Sequence, residues 1–170
     1  MSQERLMNYP TRQKTFTWQD PLITAEIGRS LGGLEHLKRI KDGELPAAPI
    51  LSLMNGRLVE VSEGRVVFEA EPAEYHYNPV GNVHGGFAAT LLDSAMASAV
   101  YSRLPVGVGS TTLEIKINYV RPLTATTGPV RCEGTVIHLG TTTATAEGRL
   151  TDSSGKLYAH GTTTCLLLRR

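Results

Sequence analysis

Asp93 is isolated in an unusual way. Between Glu74 and Arg103 it is the only residue, histidines aside, that carries a full charge at neutral pH. It falls inside HGGFAATLLDSAMASAVYSRL, a proline-free run of good helix formers that is apolar or small all round. A carboxylate there is costly to bury and poorly suited to a helix interior. It either caps a turn or pairs with an arginine, or it works as a general base or nucleophile whose pKa is set by its surroundings. Its neighbours favour the second reading. His84-Gly85-Gly86 stands where the helix begins. The free N–H groups of the first turn and the positive end of the dipole meet there, and glycine lets a ligand oxygen approach the backbone. Those are the elements of an oxyanion hole.

Eight residues separate Gly85 from Asp93, about 12 Å at roughly 1.5 Å per residue. That is too far for both to serve one carbonyl within one chain. Two such helices packed antiparallel about a two-fold axis would bring Gly85 of one subunit to Asp93 of the partner subunit, in two equivalent composite sites. A homo-oligomer, a dimer at minimum, is therefore expected.

The elements that position these residues follow from periodicity and turn signals. Residues 1–27 are polar and without clear period, and read as an N-terminal arm ahead of a single domain over 28–170. SLGGLEHLKRIKDG, from Ser30, spaces Leu31, Leu34, Leu37 and Ile40 as a helix that stops at Gly43. A second short helix is expected over 47–54. The period then changes to two, with Val66, Phe68 and Ala70 alternating with Val67, Glu69 and Glu71 after a Ser62-Glu63-Gly64 turn: a β-hairpin. A loop with Asn78-Pro79 and Gly81 leads to a helix over 85–103. Four strands follow over 107–121, 129–139, 142–152 and 156–168, separated by proline, glycine and serine breaks. In the first of them Leu113, Ile115, Ile117 and Tyr119 alternate with Glu114, Lys116 and Asn118, which predicts one buried face. The fold class is α+β: a long antiparallel sheet with one central helix and an N-terminal helical extension. A helix apolar on every side requires the sheet to wrap it.

Composition narrows the function classes. The 170 residues are 41% hydrophobic and 19% charged, as a globular domain with a real core requires. Seventeen basic against sixteen acidic residues leave a net charge of +1, so no field recruits nucleic acid or an anionic membrane. The apolar stretches are too short to span a bilayer and the start lacks the apolar segment of a secretory signal, so a cytoplasmic protein is expected. Cys132 and Cys165 lack metal-ligand spacing and read as buried strand thiols. His36, His76, His138 and His160 make no zinc set, so no metal is expected. GxSxG, phosphate-loop and dinucleotide patterns are lacking.

The run from Asn78 through His84-Gly85-Gly86, followed by Leu91-Leu92-Asp93, resembles the hotdog-fold acyl-CoA thioesterases of the PaaI-like family, over residues 31–168. The resemblance implies a long central helix wrapped by a curved antiparallel sheet, and subunits joined sheet edge to sheet edge as dimers or dimers of dimers. It implies that Gly85 donates its N–H to the thioester oxygen and that Asn78 helps bind that carbonyl or places the attacking water. Asp93 of the partner subunit would be nucleophile or general base, and Thr112 would orient the water. His84, which would also shape the loop, and Gly86 would contribute to substrate binding. Arg121, with Arg131 and Arg149 behind it, is the candidate for coenzyme A phosphates. Phe87, Leu91 and Met96 are candidates for the acyl pocket. The substrate would be an acyl-CoA or acyl carrier protein thioester. No cofactor is implied, because water, a carboxylate and oxyanion donors suffice to open a thioester. Two rival readings remain: a non-catalytic acyl-CoA-binding domain, and a hotdog hydratase or dehydratase, which needs a histidine paired with its acid.

Overall fold

The computed structural model describes residues 9–169. Residues 1–8 of the expected arm lie outside them. The rest of that arm is not featureless, because Pro21–Gly28 forms helix α1. Asp20 starts it by accepting the Leu22 N–H at 2.9 Å, and Pro21 occupies its first position. Eight residues are too few to stay helical alone in water. Packing holds this helix: a Cβ on Gly28 would lie 2.3 Å from the His36 ring, so only glycine permits the approach. Helix α2, Gly33–Lys41, stops before Gly43 at φ +79°, and α3 spans Pro49–Leu53.

Strands β1 (Gly56–Ser62) and β2 (Arg65–Ala70) form the expected hairpin. A single 3₁₀ turn at Glu74–His76 precedes the central helix α4, Gly85–Tyr101. Strands β3 (Val108–Tyr119), β4 (Val130–Leu139), β5 (Thr143–Asp152) and β6 (Leu157–Arg169) complete one antiparallel sheet in the order β1-β2-β4-β5-β6-β3. The sheet curls around α4, which touches β2, β4, β5, β6 and β3.

Leu91, Leu92, Ala95, Met96, Ala99 and Val100 of α4 are fully buried against Val66, Val130, Cys132, Ala146 and Leu150. Each large aliphatic group buried this way contributes about 1.5–3 kcal/mol. Ser102 ties the helix end to the hairpin: its hydroxyl donates to the Ala99 carbonyl at 2.7 Å and accepts the Gly64 N–H at 2.8 Å. Phe87, Leu91 and Met96, candidates for the acyl pocket, point into this core instead.

Two expectations fail within one chain. Helix α4 is not covered on every side: Gly86, Ala89, Thr90, Asp93, Ser94, Ala97 and Ser98 form a half-buried stripe. Likewise β3 does not bury one regular face, since Leu113 is 56% and Tyr119 57% exposed. A β-bulge interrupts its pairing with β6 between Thr112 and Glu114. The extra residue reverses the alternation, so Leu113 and Glu114 both face outward while Ile115 and Ile117 pack on the core. The buried Thr163 hydroxyl holds the bulge by donating to the Glu114 carbonyl at 2.7 Å, and Thr164 donates to the Glu114 carboxylate at 2.8 Å. Among the described residues, no helix is long and apolar enough to cross a membrane.

Candidate active site

The bulge decides what the carboxylate meets. A regular strand would have put Thr112 outside with Glu114 and Lys116; with the parity reversed, Thr112 faces α4. Its Oγ1 donates to Oδ1 of Asp93 at 2.8 Å. Asp93 is half-buried on the open stripe, not sealed in the core. Among the described residues Thr112 is its one side-chain hydrogen-bond partner, which leaves Oδ2 to accept from a water or substrate. The neighbouring Thr111 is exposed and takes no part. Thr112→Val keeps the strand shape but removes the donor; hydrolysis is expected to slow about tenfold, as loss of one charge-assisted hydrogen bond predicts. Thr112→Ser should restore it, read as kcat for thiol release.

The other half of the site forms at the start of α4. His84 is the N-cap, and its Nδ1 accepts the Gly86 N–H at 2.9 Å, which places the ring proton on Nε2. The Phe87 N–H goes to the His84 carbonyl at 2.9 Å. This leaves the Gly85 N–H without a partner among the described residues. Gly86, expected to meet substrate, thus has its amide spent on His84. Its lack of a side chain still counts, since a Cβ would lie 2.9 Å from His84 Nδ1.

Asn78 belongs to the same cluster. The loop is pinned by the Asn78 N–H to the Asn82 carbonyl at 2.7 Å, and by the His84 N–H to the His76 carbonyl at 2.8 Å. Asn78 Oδ1 accepts from Val80 at 3.0 Å and Asn82 at 3.2 Å, so its side-chain NH₂ is the part left to donate. His76 is structural, with Nδ1 accepting from Ala73 N–H and Nε2 donating to the Leu53 carbonyl. Burial lowers its pKa, against the smaller effect of Leu53, which keeps it neutral.

Tyr119 is a neighbour the strand pattern hid. It was expected on a buried face, yet its ring covers Gly85, where an added Cβ would lie 3.3 Å from it. Arg121, two residues on, lies at this same end, exposed, donating to the Leu157 carbonyl at 2.6 Å. Arg131 and Arg149 point away from α4, because Val130, Cys132, Gly148 and Leu150 take the inward positions. Arg131 is also engaged by Glu60. Burial pushes the Cys132 and Cys165 thiols up, so neither offers a thiolate nucleophile. Among the described residues no cluster of three or more His, Cys, Asp or Glu is arranged to hold a metal ion.

The two halves, a threonine-bound carboxylate and a helix-start amide with an asparagine donor, lie eight residues apart on α4, about 12 Å. Residues 80–159, which contain nearly all of this constellation, match the model of the thioesterase superfamily. The chain is 35% identical over 108 residues to human acyl-coenzyme A thioesterase 13, covering 61% of this chain and 74% of that one. A conserved Pseudomonas aeruginosa protein of solved structure is 30% identical with a TM-score of 0.67, over 72% of this chain and 95% of that one. The E. coli PaaI protein of the phenylacetic acid degradation operon, at 20% identity, shares the fold with a TM-score of 0.69 over 79% and 96%. The chain belongs to the thioesterase superfamily, and is a hotdog-fold thioester hydrolase.

Proposed function

We propose that the protein hydrolyses acyl-CoA thioesters at two equivalent sites of a dimer, each built from Gly85 and Asn78 of one subunit and Asp93 and Thr112 of the other. The observation that carries this is the Thr112–Asp93 hydrogen bond, which lies about 12 Å along α4 from the Gly85 N–H. The open stripe of α4 is continuous with β3, an edge strand of twelve residues with exposed Leu113. Long unpaired edges invite pairing with another strand, and a two-fold axis beside β3 would lay the two stripes together.

In this arrangement the Gly85 N–H and the Asn78 NH₂ hold the thioester oxygen. Asp93 of the partner subunit takes a proton from water through Oδ2, while Thr112 fixes Oδ1. Water oxygen bonds to the acyl carbon, the carbonyl electrons move onto oxygen, and negative charge collects at the helix start, where amide and dipole stabilise it. Collapse restores the carbonyl, breaks the C–S bond and releases coenzyme A thiolate, which takes up the proton. Arg121, at the Gly85 end, is the candidate for phosphate contact. No histidine hydrogen-bonds Asp93 among the described residues, which favours hydrolysis over hydration.

Mixing subunits tests the composite site. Asp93→Asn and Gly85→Pro proteins, each inactive alone, are refolded together in equal amounts. Random pairing makes half the dimers mixed, each with one intact site of two, so about a quarter of the wild-type activity should return. If none returns while mass spectrometry shows mixed dimers, the site lies within one chain.

A further inference from the structure

Residues 9–20 lie ahead of residues 80–159, which carry the family match, and contain no helix or strand. All of them are exposed except Phe16. Three contacts fasten this segment to one place, the 3₁₀ turn at Glu74–His76. The Phe16 ring meets the Tyr75 ring edge-on with centroids 5.6 Å apart, Lys14 Nζ lies 5.6 Å from the centroid of the same ring, and Arg12 pairs with Glu74. The ion pair is exposed on both sides and adds little. The Phe16 ring is the part that leaves water, so it anchors the arm.

The same turn holds the start of α4. Tyr75 packs on His76 at 4.2 Å between centroids and His76 on Phe87 at 4.7 Å, so four rings from Phe16 to Phe87 form one continuous stack. Phe87 is the third residue of α4. His76 is gripped at both ring nitrogens, by Ala73 and Leu53, and its carbonyl accepts the His84 N–H, one residue before the Gly85 amide. A turn fixed at these points cannot tilt without carrying the His84–Gly85 peptide with it.

Tyr75 is the weak link of the stack. It is 42% exposed, and among the described residues its hydroxyl makes no hydrogen bond. Its ring, lying between Phe16 and His76, is therefore what joins the arm to the site.

From this geometry we infer that Phe16 and Tyr75 are positioning residues for the reaction: the arm, docked through Phe16, steadies the Glu74–His76 turn and so holds the Gly85 N–H where it meets the thioester oxygen. The inference rests on the hydrolase reading above. Both residues act through Gly85, because an oxyanion donor works only where it is correctly placed and small displacements cost rate.

The test measures Phe16→Ala with octanoyl-CoA as substrate, in single turnovers at high enzyme concentration, and the Kd of S-octyl-CoA, a thioether without the carbonyl. Phe16→Ala should lower the rate about three- to tenfold, the worth of one aromatic pair, and leave the Kd and the melting temperature near wild type. Phe16→Tyr and Tyr75→Phe, which keep the rings, should retain the wild-type rate. The residual turnover of two other variants separates positioning from a general loss of structure. Added to Asp93→Asn, Phe16→Ala should cost the same factor again. Added to Gly85→Pro it should cost less than twofold, because the amide it positions is gone. An equal factor in both backgrounds overturns the inference. So does a weakened Kd with an unchanged rate, which would make the arm a direct contact for coenzyme A. Hydrolysis that Phe16→Ala leaves untouched overturns this inference alone, whereas a wild type that binds S-octyl-CoA and hydrolyses nothing overturns the hydrolase reading and this inference with it.

Discussion

Asp93→Asn is expected to lower kcat for acyl-CoA hydrolysis by about 100- to 10,000-fold, the usual contribution of a positioned general base. The asparagine is nearly isosteric, and its side-chain oxygen can still accept the Thr112 hydroxyl, so the bulge and helix should be undisturbed. Since Asp93 is half-buried on an open stripe and, among the described residues, its one side-chain partner is a neutral hydroxyl, the substitution breaks no buried ion pair there. Melting temperature and the Kd of a thioether analogue should therefore stay near wild type while turnover collapses. Activity within tenfold of wild type would remove Asp93 from the mechanism. Turnover absent from the wild type itself, with binding intact, would instead favour the non-catalytic acyl-CoA binder.

Gly85→Pro removes the other half of the chemistry with little cost to the fold. Gly85 is the first residue of α4, where proline is tolerated and its missing N–H breaks no helical bond. His84 before it has φ −60° and ψ 138°, the extended conformation a residue preceding proline prefers. The lost group is then the unpartnered N–H itself. Removing one oxyanion donor costs about 100- to 1,000-fold in kcat. Gly85→Ala is the control, because it adds the same Cβ beside Tyr119 but keeps the N–H. The exposed ring can give by the few tenths of an ångström that the 3.3 Å contact requires. Alanine should thus stay within about tenfold of wild type. If alanine and proline are equally damaging, the steric contact with Tyr119 and not the amide explains both.

Much of the scaffold was legible in the sequence because local signals agreed with the tertiary outcome. The central helix has a capping histidine, no proline and good formers throughout, and it spans Gly85–Tyr101 where 85–103 was expected. The hairpin turned at Glu63-Gly64, and prolines and glycines parted the later strands, so their bounds fall within a residue or two of expectation. Asp93 stood out because nothing around it carries charge, and the helical rise alone separated it from Gly85.

The remainder depended on partners far along the chain. Periodicity says that a face is covered but not by what, so α4 looked buried on all sides although one chain covers only part of it. Helix α1 needed His36 to pack against, and the pairing of His36 with Tyr101 spans 65 residues. The bulge in β3 left no mark in the alternation of Leu113 to Tyr119. It exists because the β6 register and the Thr163 hydroxyl admit one extra residue in β3. The sequence by itself determined the helix, the strands and the identity of the carboxylate, since capping, period and charge are local. Which threonine meets that carboxylate and which amide stays free were decided by the tertiary structure, because strand register and packing between distant segments set side-chain direction.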